Sequence, residues 1–222
     1  MRYRIAFVIT ELEKGGAENN LARLAIGLHR EGHEVTVISV ASLPGSQCNS
    51  AASQLQAGGV TLESLNCNSI RQYFSARTQL RRLLDKLNPD MVHSYLFHAH
   101  VLASHACRKD EIPHIVGLRV AEPRLLRQVA LKTVIRHAAQ VIAVSHDVKD
   151  WARLRLSVHT QNLTHIANSV EIDQFTNVTP SKSPSKGNAT WITFVGRLHE
   201  QKGLLQAVPL MKQILADAHN AK

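Results

Sequence analysis

Arg197 and Lys202 stand five positions apart in the string F-V-G-R-L-H-E-Q-K-G (Phe194–Gly203), on either side of a turn that Gly196 opens. The string reads as a buried strand, a glycine turn and the start of a helix. Such a junction gathers backbone N–H groups and cationic side chains where a strand ends and a helix begins, an arrangement that can hold a diphosphate. A second junction of the same kind lies near the amino terminus, in I-T-E-L-E-K-G-G-A-E (Ile9–Glu18). Gly15 and Gly16 precede a helix there, so the loop can take positive φ and let a ligand approach the backbone closely. A plain strand-to-helix turn is the alternative. A dinucleotide fingerprint needs G-x-G-x-x-G and an acid at the end of the second strand. Here the glycines are adjacent and the second strand ends Val40-Ala41-Ser42, which disfavours NAD and FAD.

Other groups that could do chemistry cluster mid-chain. His93, His98, His100 and His105 fall within V-H-S-Y-L-F-H-A-H-V-L-A-S-H. No H-E-x-x-H occurs, no Cys or carboxylate lies inside the cluster, and His98 and His100 would point to different sides of a helix. We therefore expect no metal, and one or two imidazoles facing a cleft to bond hydroxyls. In V-G-L-R-V-A-E-P (Val116–Pro123), Arg119 and Glu122 follow a strand's carboxyl end, the edge at which open α/β sheets bind ligands. A salt-bridged pair of loop charges is the competing reading.

These groups need elements to position them. Short apolar runs at Arg4–Thr10, Glu34–Val40, Val60–Leu65, Met91–Tyr95, His114–Arg119, Gln140–Ser145 and Thr164–Asn168 read as strands. Most are continuously apolar, as in a parallel sheet covered on both faces. Helical patterns alternate with them at Ala17–Glu31, Ile70–Leu87, Phe97–Arg108, Arg124–Ala139 and His146–Leu156. This order implies an α/β fold with a doubly wound parallel sheet. We expect a first domain over 1–175 and a Ser-, Pro- and Lys-rich linker over 176–189. A second domain should begin over 190–222, with a strand at Trp191–Gly196 and a helix at Leu204–Ala218. One strand and one helix bury too little to fold alone.

The chain has 222 residues and a net charge of +9, from 26 Lys+Arg against 17 Asp+Glu, which favours anionic partners. Two helices are basic and amphipathic: Arg71, Arg77, Arg81, Arg82 and Lys86 on one, Arg124, Arg127, Lys132 and Arg136 on the other. Their outer faces read as solvated, with a peripheral membrane contact as the alternative. Aromatics make up 5% of the chain and no stacking platform or recognition motif appears, so no nucleic-acid partner is expected. Cys48, Cys67 and Cys107 show no C-x-x-C spacing and read as reduced thiols. With no apolar stretch near the roughly 20 residues of a membrane span, the expectation is a soluble cytoplasmic protein, peripheral at most to the inner membrane face.

Taken in order, five segments resemble the family 4 glycosyltransferases of the two-domain GT-B fold. They are Lys14–Glu18, Asn88–His100, Val141–Val148, Ile166–Phe175 and Phe194–Gly203. The resemblance implies a Rossmann-like amino-terminal domain and the first strand and helix of a second. It implies a retaining transfer of a hexose from a UDP- or GDP-linked sugar to a glycan or lipid-linked acceptor, in cell-surface polysaccharide synthesis, with no cofactor. Arg197 and Lys202 would then act catalytically by neutralising the departing diphosphate, with Gly15, Gly16 and Gly196 also on the donor phosphates. His98, His100, Arg119 and Glu122 would face the acceptor.

The sequence departs from that family in three places. Arg119 stands where many relatives carry a His, and Ser169 replaces a glycine usual after the Asn. No two glutamates are spaced as the family's Glu-x7-Glu pair requires. Because only residues 204–222 follow Gly203, we expect a chain cut early in its second domain, weak or inactive alone, and completed by a second polypeptide where it is active. A non-catalytic Rossmann-like domain that binds a ligand or partner is the alternative. A sugar-nucleotide epimerase of the same two-domain shape fits the motif order less well.

Overall fold

A computed structural model describes residues 1–13, 15–45, 50–110, 112–176, 192–196, 198 and 200–217. Contacts divide it into two units, Met1–Val170 and Glu171–Lys222.

The first unit carries seven parallel strands: β1 (Arg4–Ile9), β2 (Glu34–Ser39), β3 (Thr61–Ser64), β4 (Met91–Tyr95), β5 (His114–Leu118), β6 (Gln140–Ala143) and β7 (Leu163–His165). Their order is β3-β2-β1-β4-β5-β6-β7, so the winding reverses between β1 and β4. That reversal opens a crevice at the carboxyl ends of those two strands. The helices are α1 (Gly16–Arg30), α2 (Ala51–Ala57), α3 (Tyr73–Leu87), α4 (Phe97–Asp110), α5 (Leu125–Ile135) and α6 (His146–Leu156).

Side chains alternate between sheet faces with a period of two, and this sorts the core. Ile5, Phe7 and Ile9 of β1 pack with Val35, Val37 and Tyr95 under α1 and α2. Ala6 and Val8 turn the other way, with Ile38 and Val92, against Leu80 and Leu84 of α3 and Leu102 of α4. Val116, Leu118, Val141 and Ala143 continue that second face beneath α5 and α6. Every expected strand of this unit is present: β4 has the expected bounds, and the other six are shorter by one or two residues.

Helix α2 has no counterpart in the sequence reading. Ser50 starts it by accepting the Ser53 N–H at 3.1 Å, and its seven residues are too few to display a helical period. At the end of α3, Asn88 takes a left-handed conformation before Pro89, the helix stop its sequence advertises.

The second unit contains α7 (Asp173–Thr176), a turn at Glu200–Lys202 and α8 (Leu204–Asp217), with Pro209 inside the last. The expected strand at Trp191–Gly196 is not formed: residues 192–196 join no sheet, and Trp191 lies outside the described residues. A lone strand has no neighbour to pair its backbone with, and even an isolated hairpin is marginal in water. The linker from 177 onward, Ala218, Lys14, Cys48 and Arg197 also lie outside the described residues. Cys67 and Cys107 are free thiols. Among the described residues no helix is long and apolar enough to cross a membrane.

Candidate functional site

The carboxyl edge of the sheet is organised around a stack of rings. His93 and Tyr95 alternate onto the same face of β4, with centroids 4.6 Å apart, and Phe7 of β1 lies 5.4 Å from His93. The Arg119 guanidinium, one residue beyond β5, covers the Tyr95 ring at 4.3 Å and donates from Nη1 to Asn168 Oδ1 at 2.7 Å. A planar cation clamped by a ring on one side and an amide on the other is held in one orientation. Gly117 makes room for the stack, since a Cβ there would sit 3.0 Å from His93 Nε2.

A cleft of about 400 Å³ opens beside this stack, between α1 and the ends of β4 to β7. Asn20, Arg23 and Leu24 of α1 line one wall, while His93, Tyr95, Arg119 and Ser169 line the other. The two walls are tied together: Arg23 Nη1 donates to the Ser169 carbonyl at 2.9 Å, and Asn20 Nδ2 to Ser169 Oγ at 3.4 Å. Ser169 is not among the residues at positive φ, so its backbone has no need of the glycine usual at this place. Burial, with Arg119 and then His114 adding to it, pushes the His93 pKa down to about 3. Neutral His93 therefore presents no charge to the cleft near pH 7. Burial also raises the Tyr95 phenol, although Arg119 opposes it.

The candidate acceptor residues separate into distinct settings. His98 stands exposed in the first turn of α4, its pKa lowered by desolvation first and by Arg127 second, with Glu122 opposing. Glu122 accepts from the Arg124 N–H at 3.1 Å and pairs with Arg127 at 3.4 Å, and Arg127 in turn covers the Phe97 ring at 4.7 Å. Hence His98 and Glu122 belong to one cluster and Arg119 to its neighbour. Leu96, in the left-handed region at φ 70°, joins β4 to α4 with no intervening loop and so sets His98 at the edge. For a branched side chain that conformation stores strain, a feature that gathers at functional sites.

His100, expected to face the acceptor, is instead buried on the opposite face of the sheet. Its Nδ1 lies 2.8 Å from Ser94 Oγ, and His114 Nε2 lies 2.7 Å from the same oxygen. One hydroxyl has one proton and two lone pairs, so at least one imidazole donates to Ser94, whose own proton goes to the other or to the Ile115 carbonyl at 3.4 Å. The period of α4 turns position 100 inward, whereas 98 stays at the rim. Among the described residues no three His, Cys, Asp or Glu side chains converge as a metal would require.

The glycine pair differs in detail from expectation. Gly15 is extended (φ −160°, ψ 170°) and caps α1, so positive φ is not its reason. A Cβ at Gly15 would overlap the Glu18 carboxylate, which folds back over the helix start. Gly16 has open space around its Cα and is the one of the two that a ligand can approach. In the second unit the Lys202 stem runs beside Gly196, where a Cβ would lie 3.7 Å from Lys202 Cγ. Gly203 follows at φ 68°, a conformation that favours glycine, and its carbonyl accepts the Ala207 N–H of α8 at 2.9 Å.

Sequence reasoning missed Tyr95, Asn168, Asn20 and Arg23. The spacing of Asn20 and Arg23 on α1 was a usable signal, because i and i+3 share a helix face.

The sequence model described as Glycosyltransferase Family 4 matches residues 14–174. No curated protein sequence matches significantly. Among solved structures, the fold is similar to a glycosyltransferase from Rickettsia africae, with a TM-score of 0.66 at 20% identity over 81% of this chain and 47% of that one. It is similar to Anabaena HepE in complex with UDP and glucose (TM-score 0.62, 17% identity, 77% and 46% covered). It is also similar to a UDP-N-acetylglucosamine 2-epimerase from Rickettsia bellii (TM-score 0.54, 12% identity, 75% and 45% covered). The chain thus spans about half the length of these proteins, and at such identities the likeness is one of fold, a Rossmann-like sheet as in GT-B enzymes. Because the family model covers well over half of the 222 residues, the chain belongs to glycosyltransferase family 4.

Proposed function

We propose that this chain forms the acceptor side, and the start of the donor side, of a retaining hexosyltransferase. The enzyme moves a sugar from a UDP- or GDP-linked donor to a glycan or lipid-linked acceptor, in cell-surface polysaccharide synthesis at the cytoplasmic face of the membrane. Donor residues beyond those named here come from further chain or from a second polypeptide. The observation that carries the reading is the orientation of Arg119, fixed over Tyr95 by Asn168 beside a cleft at the sheet's carboxyl edge.

Glycosyl transfer builds negative charge on the departing phosphate, and fixed cations stabilise that charge most in the transition state. In this proposal Arg197 and Lys202 supply them, and Gly15, Gly16 and Gly196 also serve the donor phosphates. Side-chain cations take the part a metal would otherwise play, so no cofactor is needed. Arg119, His98 and Glu122 orient the acceptor. His100 has no place in that set, since its ring is bonded within the core. The UDP and UDP-glucose complexes of Anabaena HepE support a uridine nucleotide.

The test is calorimetric titration of the whole chain with UDP-glucose and GDP-mannose, followed by transfer of label to lipid and oligosaccharide acceptors. Saturable donor binding weaker than low micromolar, and weaker again in Lys202→Gln, is expected. No donor binding at millimolar concentration would sink the reading. A second reading, a non-catalytic domain that binds a ligand or partner, is favoured by the first unit's own three-part core. Acceptor binding with neither donor binding nor transfer would select it.

A further inference from the structure

Two half-buried arginines share the cleft beside α1, and among the described residues neither pairs with a carboxylate. Arg119 is held by the Asn168 amide oxygen and the Tyr95 ring, and Arg23 by the Ser169 carbonyl. The two anchors are consecutive residues, about 3.8 Å apart from Cα to Cα, which gathers both guanidinium groups at one end of the cleft. Neutral oxygens orient these cations but leave their charge standing. A charge taken partly out of water is costly unless an opposite charge meets it, and here two stand together. Arg119 Nε is moreover buried with no hydrogen-bond partner. Among the described residues that line the cleft, Glu31 is the one carboxylate. It is exposed just past α1, eight residues beyond Arg23, or about 12 Å along the helix. The remaining walls are aliphatic, from Leu24 and Leu28 of α1, Ile142 of β6 and Ile166.

We propose that this cleft takes an acidic sugar, the terminal residue of an anionic acceptor glycan, with its carboxylate or phosphate against Arg23 and Arg119. A guanidinium presents parallel N–H donors that fit either oxyanion. The C–H face of a pyranose ring can then bury against Leu24 and Ile142. A cleft of about 400 Å³ lies toward the small end of ligand cavities, which run about 300–1,000 Å³, and suits one sugar residue better than a chain of them. A neutral sugar would leave both cations unmet, and a lipid tail would meet neither. The donor diphosphate belongs elsewhere, because Arg23 stands seven residues, or about 10 Å, along α1 from Gly16. That the ligand is the acceptor rests on the sugar-transfer reading; the charge of what binds does not.

The test is calorimetric titration of the whole chain with glucose, glucuronic acid and glucose 6-phosphate at constant ionic strength, with UDP as competitor. At least one acid should bind roughly tenfold or more tightly than glucose, and less tightly as salt rises. The tighter of the two names the oxyanion. Arg23→Gln and Arg119→Gln should each weaken that acid roughly tenfold or more, and Arg23→Lys should recover part of the loss. Arg82→Gln, an equal change of charge at an exposed position of α3, serves as the control and should bind as the parent does. Thermal melts separate lost binding from lost fold, and Arg23→Lys carries the comparison if a Gln variant melts early. Equal binding of glucose and both acids, no binding of either acid, acid binding untouched in both Gln variants, or displacement of the acid by UDP would overturn the proposal, the last by giving the site to the donor. Titration with UDP-glucose is read separately. Acid binding without donor binding would keep this cleft and remove the sugar-transfer reading, while donor binding with no preference for acids would do the reverse.

Discussion

Acidification from pH 7 to pH 5 is expected to cost the first unit several kcal/mol of stability, through three imidazoles buried in neutral form. Burial pushes His93 down to about 3 and His114 down to about 4. His100 is held well below the ordinary range by burial first, with His114, His93 and Arg119 adding to it. In each case the folded pKa lies below the unfolded value of 6.5, so protons favour the unfolded chain. Stability is therefore full above about pH 6.5 and is lost as pH falls toward the folded values. Each group contributes a slope of about 1.4 kcal/mol per pH unit once the unfolded imidazole is protonated. Between pH 7 and 5 that amounts to about 2 kcal/mol for each of His93 and His114, or ~4 kcal/mol for the two, with His100 acting in the same direction. Total stabilities run about 5–15 kcal/mol, so the loss is a large share. Mutual repulsion among the three only lowers the folded values further and leaves the slope in this window intact.

The assay is urea unfolding by far-ultraviolet circular dichroism at pH 7, 6 and 5 and constant ionic strength. The midpoint should fall while the dependence on urea keeps its slope. His114→Gln should remove about 2 kcal/mol of the difference between pH 7 and 5, whatever it does to stability at pH 7. A midpoint that stays level across this range would refute the buried-neutral account of Ser94 and its two histidines.

Two further outcomes follow from the ring stack. Gly117→Ala should destabilise by about 1–3 kcal/mol in the same unfolding assay, because its Cβ meets His93 Nε2 at 3.0 Å and the Ser94 carbonyl at 3.2 Å. A neutral result would mean that His93 yields freely. Arg119→Lys keeps the charge but loses the planar contact with Tyr95 and the bond to Asn168. It should raise the acceptor KM roughly tenfold while leaving donor titration unchanged, and unaltered kinetics would show that a point charge suffices.

The sheet was legible because a strand buried on both faces must be apolar, as most of the first unit's seven runs are; the edge strands β3 and β7 are the more polar ones. Helix α2 was not, since one turn and a half leaves no period to see and only the Ser50 cap marks it. The site divides along the same line. Positions fixed by a strand's end, such as Arg119, could be placed at the carboxyl edge from sequence. Their partners could not: Tyr95, Asn168 and Arg119 come from three separate strand ends, and only the β4-β5-β6-β7 order brings them together. His100 shows the limit most clearly. Two residues from His98 on one helix, it faces the core, where Ser94 and His114 bond each other through a hydroxyl that no local pattern reveals. Chemistry read from residue types alone assigns such a histidine to a ligand. The helical period assigns it to the interior, and here the period decides, because an unpaired imidazole is costly to bury whereas this one has a hydroxyl waiting for it.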